Sequence, residues 1–300
     1  MLFSILIANY NNGVYFKDCF ESILNQSYQN FEVIIVDDAS TDDSVIEIQS
    51  LIATDPRFVL YTEFENRGCG YTKMRCVSYA KGVICGFVDP DDALTPNALE
   101  VMINAFKKHP EAAMISSKHY FTDLQLTITR ESIHGQVIPK GHSFLTYGKG
   151  AVTHFAVFSL EKYRQTQGLN PIYKRAVDQD LYFIMEEVGP IFYLDIFLYL
   201  YRITEKSISA NSNTFKARYW HYRVMKEAYL RRKKNPNQAI NFTRNQFKKM
   251  ENDYFITRIK VEGARNAICK KYYFLFKSYQ TSLTLDWKYK LLCLVLPKYY

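Results

Sequence analysis

The sequence predicts an α/β protein built on a mostly parallel, doubly wound sheet. Over residues 1–121, short apolar runs that are typical of buried strands alternate with segments of helical periodicity. Parallel strands require such crossover helices, and helices on both faces of a sheet account for strands that are apolar throughout. Ligands bind at the carboxyl ends of the strands in sheets of this kind. We therefore expect the functional residues in the segments that directly follow the strands.

Five apolar runs are predicted as strands: SILIANY (4–10), FEVIIVDD (31–38), FVLYTE (58–63), VICGFV (83–88) and EAAMISSKHYF (111–121). After the first comes the helical segment VYFKDCFESILNQS, whose apolar face consists of Phe16, Cys19, Phe20, Ile23 and Leu24. The second helix is expected to begin behind an N-cap at Ser40 or Thr41. The third, YTKMRCVSYAKG, is expected to end at Gly82. The fourth is expected to begin at Pro96 behind a Thr95 cap.

Charge divides the chain into two parts. Residues 1–210 hold 18 Lys and Arg against 25 Asp and Glu, whereas residues 211–300 hold 20 against 5. With 48% hydrophobic and 23% charged residues, the chain has the composition of a folded globular protein. The sequence therefore predicts a first domain over residues 1–212 and a basic, tyrosine-rich helical extension over residues 213–300.

Several classes of protein are disfavoured by missing motifs. The six cysteines form no CxxC pair, which favours the reduced thiols of a cytoplasmic protein. The glycine cluster GCG lacks the third glycine of a dinucleotide-binding fingerprint, and there is no P-loop pattern. No nucleic-acid-binding motif accompanies the basic residues. No apolar run reaches the length of a membrane span, and the N-terminal segment lacks the basic start of a signal peptide. We therefore expect a cytoplasmic protein that binds no nucleic acid.

Carboxylates follow two of the predicted strands. In VDPDD, Asp89 and Asp91 flank a proline, where they could hold a hard cation such as Mg²⁺ or Mn²⁺ or simply form a turn before the helix cap. In VDDAS, the two carboxylates could cap a helix or accept hydrogen bonds from a nucleobase or ribose. Taken singly, the two segments leave both interpretations open.

The order and spacing of the strand-end motifs favour the ligand-binding interpretation. LIANYNN is followed by SILNQSYQNFEVIIVDDASTDDS and then by NRGCGYTKMRCVSYAKGVICGFVDPDD. This ordered set resembles the family 2 glycosyltransferases, and the resemblance continues through AVDQDLYFIMEEVG to YRITEKSIS. It implies the GT-A fold, which is the fold of nucleotide-diphospho-sugar transferases, over residues 1–209, followed by the C-terminal α-helical extension.

The resemblance implies a nucleotide-binding role for six residues, one of which, Asp89, is also a predicted metal ligand. The turn after the first strand would lie along the nucleotide through Ala8, Tyr10 and Asn11. Asp38 would read a uracil-type base, and Arg75 would lie near the nucleotide.

The resemblance also implies the metal-binding and catalytic residues. Asp89 and Asp91 match the DxD motif, with Asp91 as the direct metal ligand and Asp89 nearer the ribose or donor sugar. Asp178 matches the aspartate that acts as the catalytic base of inverting members. Two positions depart from the family pattern, because Val177 replaces the usual glutamate and Thr204 replaces a histidine.

Four further residues receive weaker interpretations. His154 is expected either to contact the diphosphate or the acceptor, or to be a satisfied, half-buried histidine. Asp180 and Glu186 are expected on a helix surface or in a cap, and Asp180 is the second candidate for the base. Cys76 stands where the family usually has asparagine.

The implied activity is metal-dependent transfer of a hexosyl or N-acetylhexosaminyl group, with Mn²⁺ or Mg²⁺ as the cofactor. The donor would be a nucleotide-diphosphate sugar, with UDP as the expected nucleotide, and the acceptor a hydroxyl of a glycan or lipid-linked sugar in cell-surface polysaccharide synthesis. One alternative is a catalytically silent nucleotide-sugar-binding subunit of a synthesis complex, suggested by Val177 and Thr204. Another is a nucleotidyltransferase, which would leave Asp178 without a role.

The basic extension has two interpretations. Its segment KKYYFLFKSYQTSLTLDWKYKLLCLVLPKYY interleaves lysines with aromatic and aliphatic residues, a mixture suited to an anionic bilayer surface. The expected location would then be the inner face of the cytoplasmic membrane. The other interpretation is a helical subdomain that packs on the first domain and leaves its lysines solvated.

Overall fold

The computed structural model describes residues 1–148, 150–204 and 214–235, together with residues 246, 249, 253 and 254. The strands are β1 (Phe3–Asn9), β2 (Phe31–Asp37), β3 (Phe58–Thr62), β4 (Ile84–Phe87), β5 (Ala93–Leu94), β6 (Met114–Thr122), β7 (Ile128–Glu131), β8 (Ala156–Ser159) and β9 (Ile191–Arg202). The helices are α1 (Gly13–Leu24), α2 (Ser44–Ile52), α3 (Cys69–Tyr79), α4 (Ala98–Lys108), α5 (Phe144–Tyr147), α6 (Leu160–Tyr163), α7 (Val177–Glu186) and α8 (Thr214–Lys233).

The strands form one sheet in the order β3-β2-β1-β4-β8-β6-β9-β5, and β7 pairs with β6. The first four, β3 to β4 in this order, are all parallel, as the sequence predicts. In the other half, β8 is antiparallel to both β4 and β6, and β9 is parallel to β6. Strand order reverses beside β1, which lies between β2 and β4. A crevice for a ligand is expected at that point, at the carboxyl ends of these strands.

Successive side chains of the central strands enter two separate cores. Leu6 packs in the core beneath α3 and α7, whereas Ile5 and Ile7 pack in the core beneath α1 and α4. This division follows from the alternation of side chains along a strand. Both faces of β1 are therefore covered, which explains why its sequence is apolar throughout.

Three predicted helix boundaries are wrong. Helix α2 begins at Ser44 behind Asp43, because the Ser40 side chain bonds Asp37 instead of capping a helix. Helix α4 begins at Ala98 behind Asn97, so Thr95 and Pro96 lie in the link that follows β5.

Helix α3 ends at Tyr79, before the predicted terminus at Gly82. Position 82 requires a glycine because its backbone lies close to β1 and the residue before it. A Cβ at this position would lie 2.6 Å from Ser4 Oγ and 2.8 Å from Leu2 O. Its amide donates to Ser4 Oγ at 2.8 Å.

Helix α8 is part of the folded core. Val224 and Ala228 are fully buried in the core beneath α7. At the end of α8, Arg232 pairs with Glu186 at 2.8 Å and Arg231 pairs with Glu187 at 2.8 Å. Most of the predicted extension beyond residue 235 lies outside the described residues. Within the described part of the chain, no helix combines the length and apolarity that crossing a membrane requires.

The described cysteines carry free thiols, as the sequence predicts. Cys19, Cys76 and Cys85 are buried and Cys69 is half-buried. Burial raises the pKa of Cys69 and of Cys85 to about 12, so both thiols stay protonated near neutral pH. Cys269 and Cys293 lie outside the described residues.

Candidate active site

The turn after β1 is joined to the turn after β2 by side-chain hydrogen bonds. Asn9 Nδ2 donates to Asp37 Oδ2 at 2.7 Å, and the Asn11 amide donates to Ser40 Oγ at 2.9 Å. Asn11 has a positive φ of 51°, in the left-handed region. Tyr10 is 46% exposed and Ala8 is half-buried. The structure thus brings the predicted nucleotide residues Ala8, Tyr10 and Asn11 to the carboxyl end of the central strand.

Asp38 is buried at the end of β2 and binds the backbone of a neighbouring loop. Its two carboxylate oxygens accept hydrogen bonds from the amides of Arg67 and Gly68, at 2.9 Å and 2.7 Å. Gly68 has a φ of 91°, which favours glycine, and it directly precedes α3. Asp38 therefore fixes the loop that leads into α3, in addition to the base-reading role implied by the resemblance.

The segment after β4 is held by two residues of β9. The Tyr199 hydroxyl donates to Asp92 Oδ2 at 2.7 Å and accepts from the Asp89 amide at 3.1 Å. The Arg202 amide donates to Asp92 Oδ1 at 2.8 Å, and Arg202 Nε donates to the Asp91 carbonyl at 2.6 Å. From its place in VDPDD just before the helix start, the sequence predicts that Asp92 belongs to that start; this is wrong, because its buried carboxylate binds β9.

Asp91 is a largely buried carboxylate that lies close to a second one, Asp89. Burial, followed by the charge of Asp89, raises the pKa of Asp91 to about 6. A divalent cation would relieve the repulsion between the two carboxylates. No group of three or more His, Cys, Asp or Glu is placed to hold an ion within the described residues. Mg²⁺ and Mn²⁺ commonly take one or two carboxylates and complete their coordination with substrate phosphates, so the residues present fit such an ion.

Lys73 on α3 joins the DxD segment to helix α7. Its Nζ lies 2.7 Å from Asp178 Oδ1 and 3.4 Å from Asp89 Oδ1. The lysine side chain is 5% exposed, whereas the two carboxylates are each about a third exposed. Three elements that are far apart in sequence thus place one ammonium between two carboxylates.

Lys73 and Asp178 each stabilise the charged form of the other. Burial alone would raise the pKa of Asp178, but the Lys73 ammonium, with a smaller contribution from His154, holds it below the usual range. Burial alone would lower the pKa of Lys73, but Asp178 and Asp89 raise it well above its usual value. Asp178 is therefore ionised in the free protein, as a proton acceptor must be.

Arg75 lies away from this pair. Its Nε donates to Glu63 Oε1 at 2.9 Å, and its guanidinium lies over the ring of Tyr79. The helical period accounts for the difference, because Lys73, Cys76 and Val77 share the buried face of α3 and Arg75 does not. Lys73 is not among the residues predicted from the sequence, although the same periodicity marks it as the inward-facing cation of α3.

The residues with weaker interpretations lie in different surroundings. His154 is half-buried and stacks on Tyr199, with the ring centroids 5.0 Å apart. Asp180 is buried, so its prediction as a helix-surface residue is wrong. Its Oδ2 accepts from the Asn170 amide at 3.2 Å, and burial raises its pKa to about 6. Glu186 accepts from the Phe144 amide and binds α8, and Thr204 is buried just beyond β9.

Residues 4–166, more than half of the chain, match the sequence profile described as Glycosyl transferase family 2. The chain belongs to this family. As a family 2 member it is 34% identical over 204 residues to a chondroitin synthase of Escherichia coli, which covers 66% of this chain and 28% of that protein. It is 30% identical over 204 residues to a hyaluronan synthase of Pasteurella multocida, covering 66% of this chain and 20% of that protein. The chain thus spans less than a third of the length of either relative.

Solved glycosyltransferase structures share the fold. Staphylococcus aureus TarS 1-349 in complex with UDP-GlcNAc superposes with a TM-score of 0.61 at 17% identity, over 87% of this chain and 73% of that one. A mannosyltransferase from Pyrobaculum calidifontis, in complex with GDP-Man and Mn²⁺, gives 0.58 at 14% identity, over 94% and 76%. These likenesses confirm the predicted GT-A fold.

Proposed function

We propose that this family 2 protein is an inverting glycosyltransferase that uses a nucleotide-diphosphate sugar, with UDP as the nucleotide, and a divalent cation. The observation that carries this proposal is the position of Lys73 between Asp89 of the DxD segment and Asp178 of α7. It gives one crevice an acidic cation site, a buried ammonium and an ionised carboxylate. Sugar transfer from a diphosphate is helped by a cation at the leaving group and a base at the acceptor hydroxyl, and Lys73 keeps the base ionised.

Each group has a chemical task in the transfer. Asp178 accepts the proton of the acceptor hydroxyl while the acceptor oxygen forms its bond to the anomeric carbon, a step worth about 10²–10⁴-fold in rate. The bond from that carbon to the diphosphate breaks, and its electron pair leaves with the nucleoside diphosphate. Asp91, with Asp89 beside it, would hold a Mn²⁺ or Mg²⁺ ion, which would supply Lewis-acid stabilisation of the phosphate charge. A single displacement by one base inverts the anomeric configuration.

The comparisons support the donor and cofactor of the proposal. The solved structures that share the fold include one bound to UDP-GlcNAc and one bound to GDP-Man and Mn²⁺. The relatives include chondroitin and hyaluronan synthases, and a minor teichoic acid biosynthesis protein of Bacillus subtilis. We propose by extension that the acceptor is a hydroxyl of a glycan or lipid-linked sugar in polysaccharide synthesis.

A catalytically silent nucleotide-sugar-binding subunit is the second candidate. Two observations favour it: Val177 replaces the family's usual glutamate, and Lys73 keeps the pKa of Asp178 low, which weakens it as a base. A silent subunit would bind the donor without releasing nucleoside diphosphate. Release of UDP in the presence of an acceptor therefore separates the two functions.

The test begins with a screen of nucleotide sugars for thermal stabilisation in the presence of Mn²⁺. A donor at about 100 times its Kd stabilises the fold by about 2.7 kcal/mol, so it stands out from the others. Donors that pass are then incubated with oligosaccharide acceptors, and UDP release is measured. Stabilisation with acceptor-dependent release supports the enzyme, stabilisation without release supports the silent subunit, and no stabilisation by any nucleotide sugar contradicts both.

A further inference from the structure

Arg202 is a buried arginine at the end of β9 whose role is not accounted for by the residues discussed so far. Its side chain is 2% exposed, and each guanidinium nitrogen donates a hydrogen bond: Nε to the Asp91 carbonyl, Nη1 to the Leu124 carbonyl and Nη2 to the Asp18 carboxylate. Such a charge is costly to bury unless it is paired and hydrogen-bonded. The groups that accept hydrogen bonds from the Arg202 guanidinium therefore indicate what this residue does.

One side of Arg202 holds the DxD segment. Its Nε donates to the Asp91 carbonyl at 2.6 Å, and its own amide donates to Asp92 Oδ1 at 2.8 Å. Asp92 is fully buried and also accepts from the Tyr199 hydroxyl. The backbone of the predicted cation ligand is thus fixed to β9 by both the side chain and the main chain of one residue.

The other side of Arg202 holds helix α1. Its Nη2 donates to Asp18 Oδ2 at 2.6 Å, and its guanidinium lies over the Tyr15 ring, 4.9 Å from the centroid. Helix α1 follows the turn that contains Tyr10 and Asn11. Arg202 therefore joins the nucleotide turn and the cation segment to a single fixed point.

We propose that Arg202 is a positioning residue for the cation and diphosphate site. It touches neither the ion nor the substrate, and it acts by fixing the Asp91 backbone relative to α1 and the β1 turn. The planar guanidinium is suited to this task because it bonds acceptors in several fixed directions at once, which an ammonium cannot do. This inference rests on the proposed function, since it concerns the cation site of that enzyme.

The test compares Arg202→Lys with Arg57→Lys as a matched control. Arg57 also donates through Nε and Nη2 to a carboxylate, that of Asp55, and lies over the Phe31 ring at 4.2 Å. It directly precedes β3, at the opposite edge of the sheet from β9 and β5. Both variants keep the charge and lose the planar fork. Mn²⁺ affinity is measured by calorimetry in the presence of UDP, after thermal melts of the metal-free proteins establish that each is folded.

Arg202→Lys is expected to weaken Mn²⁺ binding about tenfold or more, while Arg57→Lys changes it less than about twofold. Tyr199→Phe keeps the ring and loses the hydroxyl that bonds Asp92, so it is expected to weaken Mn²⁺ binding about threefold, even if the Arg202 variant fails to fold. Unchanged Mn²⁺ affinity in folded Arg202→Lys and in Tyr199→Phe would overturn the positioning role and leave the proposed function intact. Absence of Mn²⁺ binding by the unaltered protein with UDP would instead overturn the cation site itself.

Discussion

Asp178 and Lys73 define the chemistry of the site at the scale of single residues. The predicted base is ionised because an ammonium lies 2.7 Å away, and that ammonium is itself held by a second carboxylate. We expect Asp178→Asn to lower the rate of transfer by at least about 10²-fold, because an amide cannot accept the hydroxyl proton. Donor affinity, measured by calorimetry, should stay within about threefold.

Asp180→Asn is the matched comparison for that variant. Asp180 lies two residues further along α7 but is buried, with its carboxylate on the Asn170 amide. Transfer should survive this substitution. Loss of transfer in Asp180→Asn together with near-normal transfer in Asp178→Asn would move the base to Asp180.

Lys73→Met should change the pH dependence of transfer. In the unaltered protein Lys73 holds the pKa of Asp178 below its usual range, whereas burial would raise it. Without the ammonium the pKa of Asp178 rises, so the carboxylate becomes protonated at a higher pH. The acidic limb of the kcat/KM profile should therefore shift to higher pH, with the greatest relative loss of rate at the acidic end.

Arg75→Met controls for the loss of a cation from the same helix. Arg75 is paired with Glu63 and does not contact Asp178, so the acidic limb should keep its position. If the acidic limb of the kcat/KM profile shifted in Arg75→Met and not in Lys73→Met, Arg75 rather than Lys73 would be the cation that lowers the pKa of Asp178.

These residues show how far the sequence could predict the site. The strand-end pattern predicted that Asp89 and Asp91 lie at the ligand-binding edge of the sheet, because parallel strands end at the same edge. Asp178 lies on a helix, and only the family resemblance pointed to it. Lys73 and Asp92 escaped prediction since their partners are distant in sequence: Asp178 is 105 positions from Lys73, and Tyr199 is 107 positions from Asp92. Local periodicity can show that Lys73 faces inward, but it cannot show which distant residue its side chain contacts.

At the scale of elements, helix ends were harder to predict than the helices themselves. Ser40 is a good N-cap by residue type, but its hydroxyl is taken by Asp37 in the turn after β2. Thr95 and Pro96 form a suitable helix start, yet the preceding residues pair with β9 as β5, and α4 begins two residues later. At both positions, a tertiary hydrogen bond or a strand pairing uses the residues that the local sequence pattern would place at a helix start.

The pairing of α8 with α7 yields a prediction about stability. Arg232 is 4% exposed and binds Glu186, Glu187 and the Phe183 carbonyl, so its loss leaves partly buried carboxylates without their cation. Breaking a buried pair costs about 3–5 kcal/mol. Since the carboxylates keep some exposure and Arg231 remains on Glu187, Arg232→Met should lower the free energy of unfolding by about 2–3 kcal/mol.

Urea denaturation measures this loss, and Lys233→Met is its control. Lys233 is the next residue and is exposed, so its substitution should change the free energy of unfolding by less than about 0.5 kcal/mol. If the two variants lowered the free energy of unfolding by the same amount, the ion pairs of Arg232 would make no specific contribution to stability.

At the scale of the whole molecule, the boundary in charge does not coincide with a boundary in the folded core. Composition separates residues 1–212 from 213–300, but α8 shares a core with α7, the helix that carries Asp178. The parallel half of the sheet supplies the turn after β1 and the DxD segment after β4, where the nucleotide and the cation are proposed to bind. The mixed half, through β9, supplies the residues that hold that segment in place.

The excess of positive charge in residues 213–300 predicts salt-sensitive binding to anionic membranes. Residues 211–300 hold 20 Lys and Arg against 5 Asp and Glu, and Lys233 and Lys234 are exposed at the end of α8. Each basic residue near an anionic surface contributes about 1 kcal/mol. The double variant Lys233→Gln and Lys234→Gln should therefore weaken binding by about 2 kcal/mol, or about 30-fold, in flotation with vesicles that contain phosphatidylserine.

The matched control is the double variant Lys107→Gln and Lys108→Gln at the end of α4, whose flotation should be unchanged. Raising the salt concentration should release the unaltered protein, because screening shortens the reach of these charges. Flotation that is equal on neutral and anionic vesicles, or that resists salt, would rule out an electrostatic membrane contact and favour a solvated helical extension.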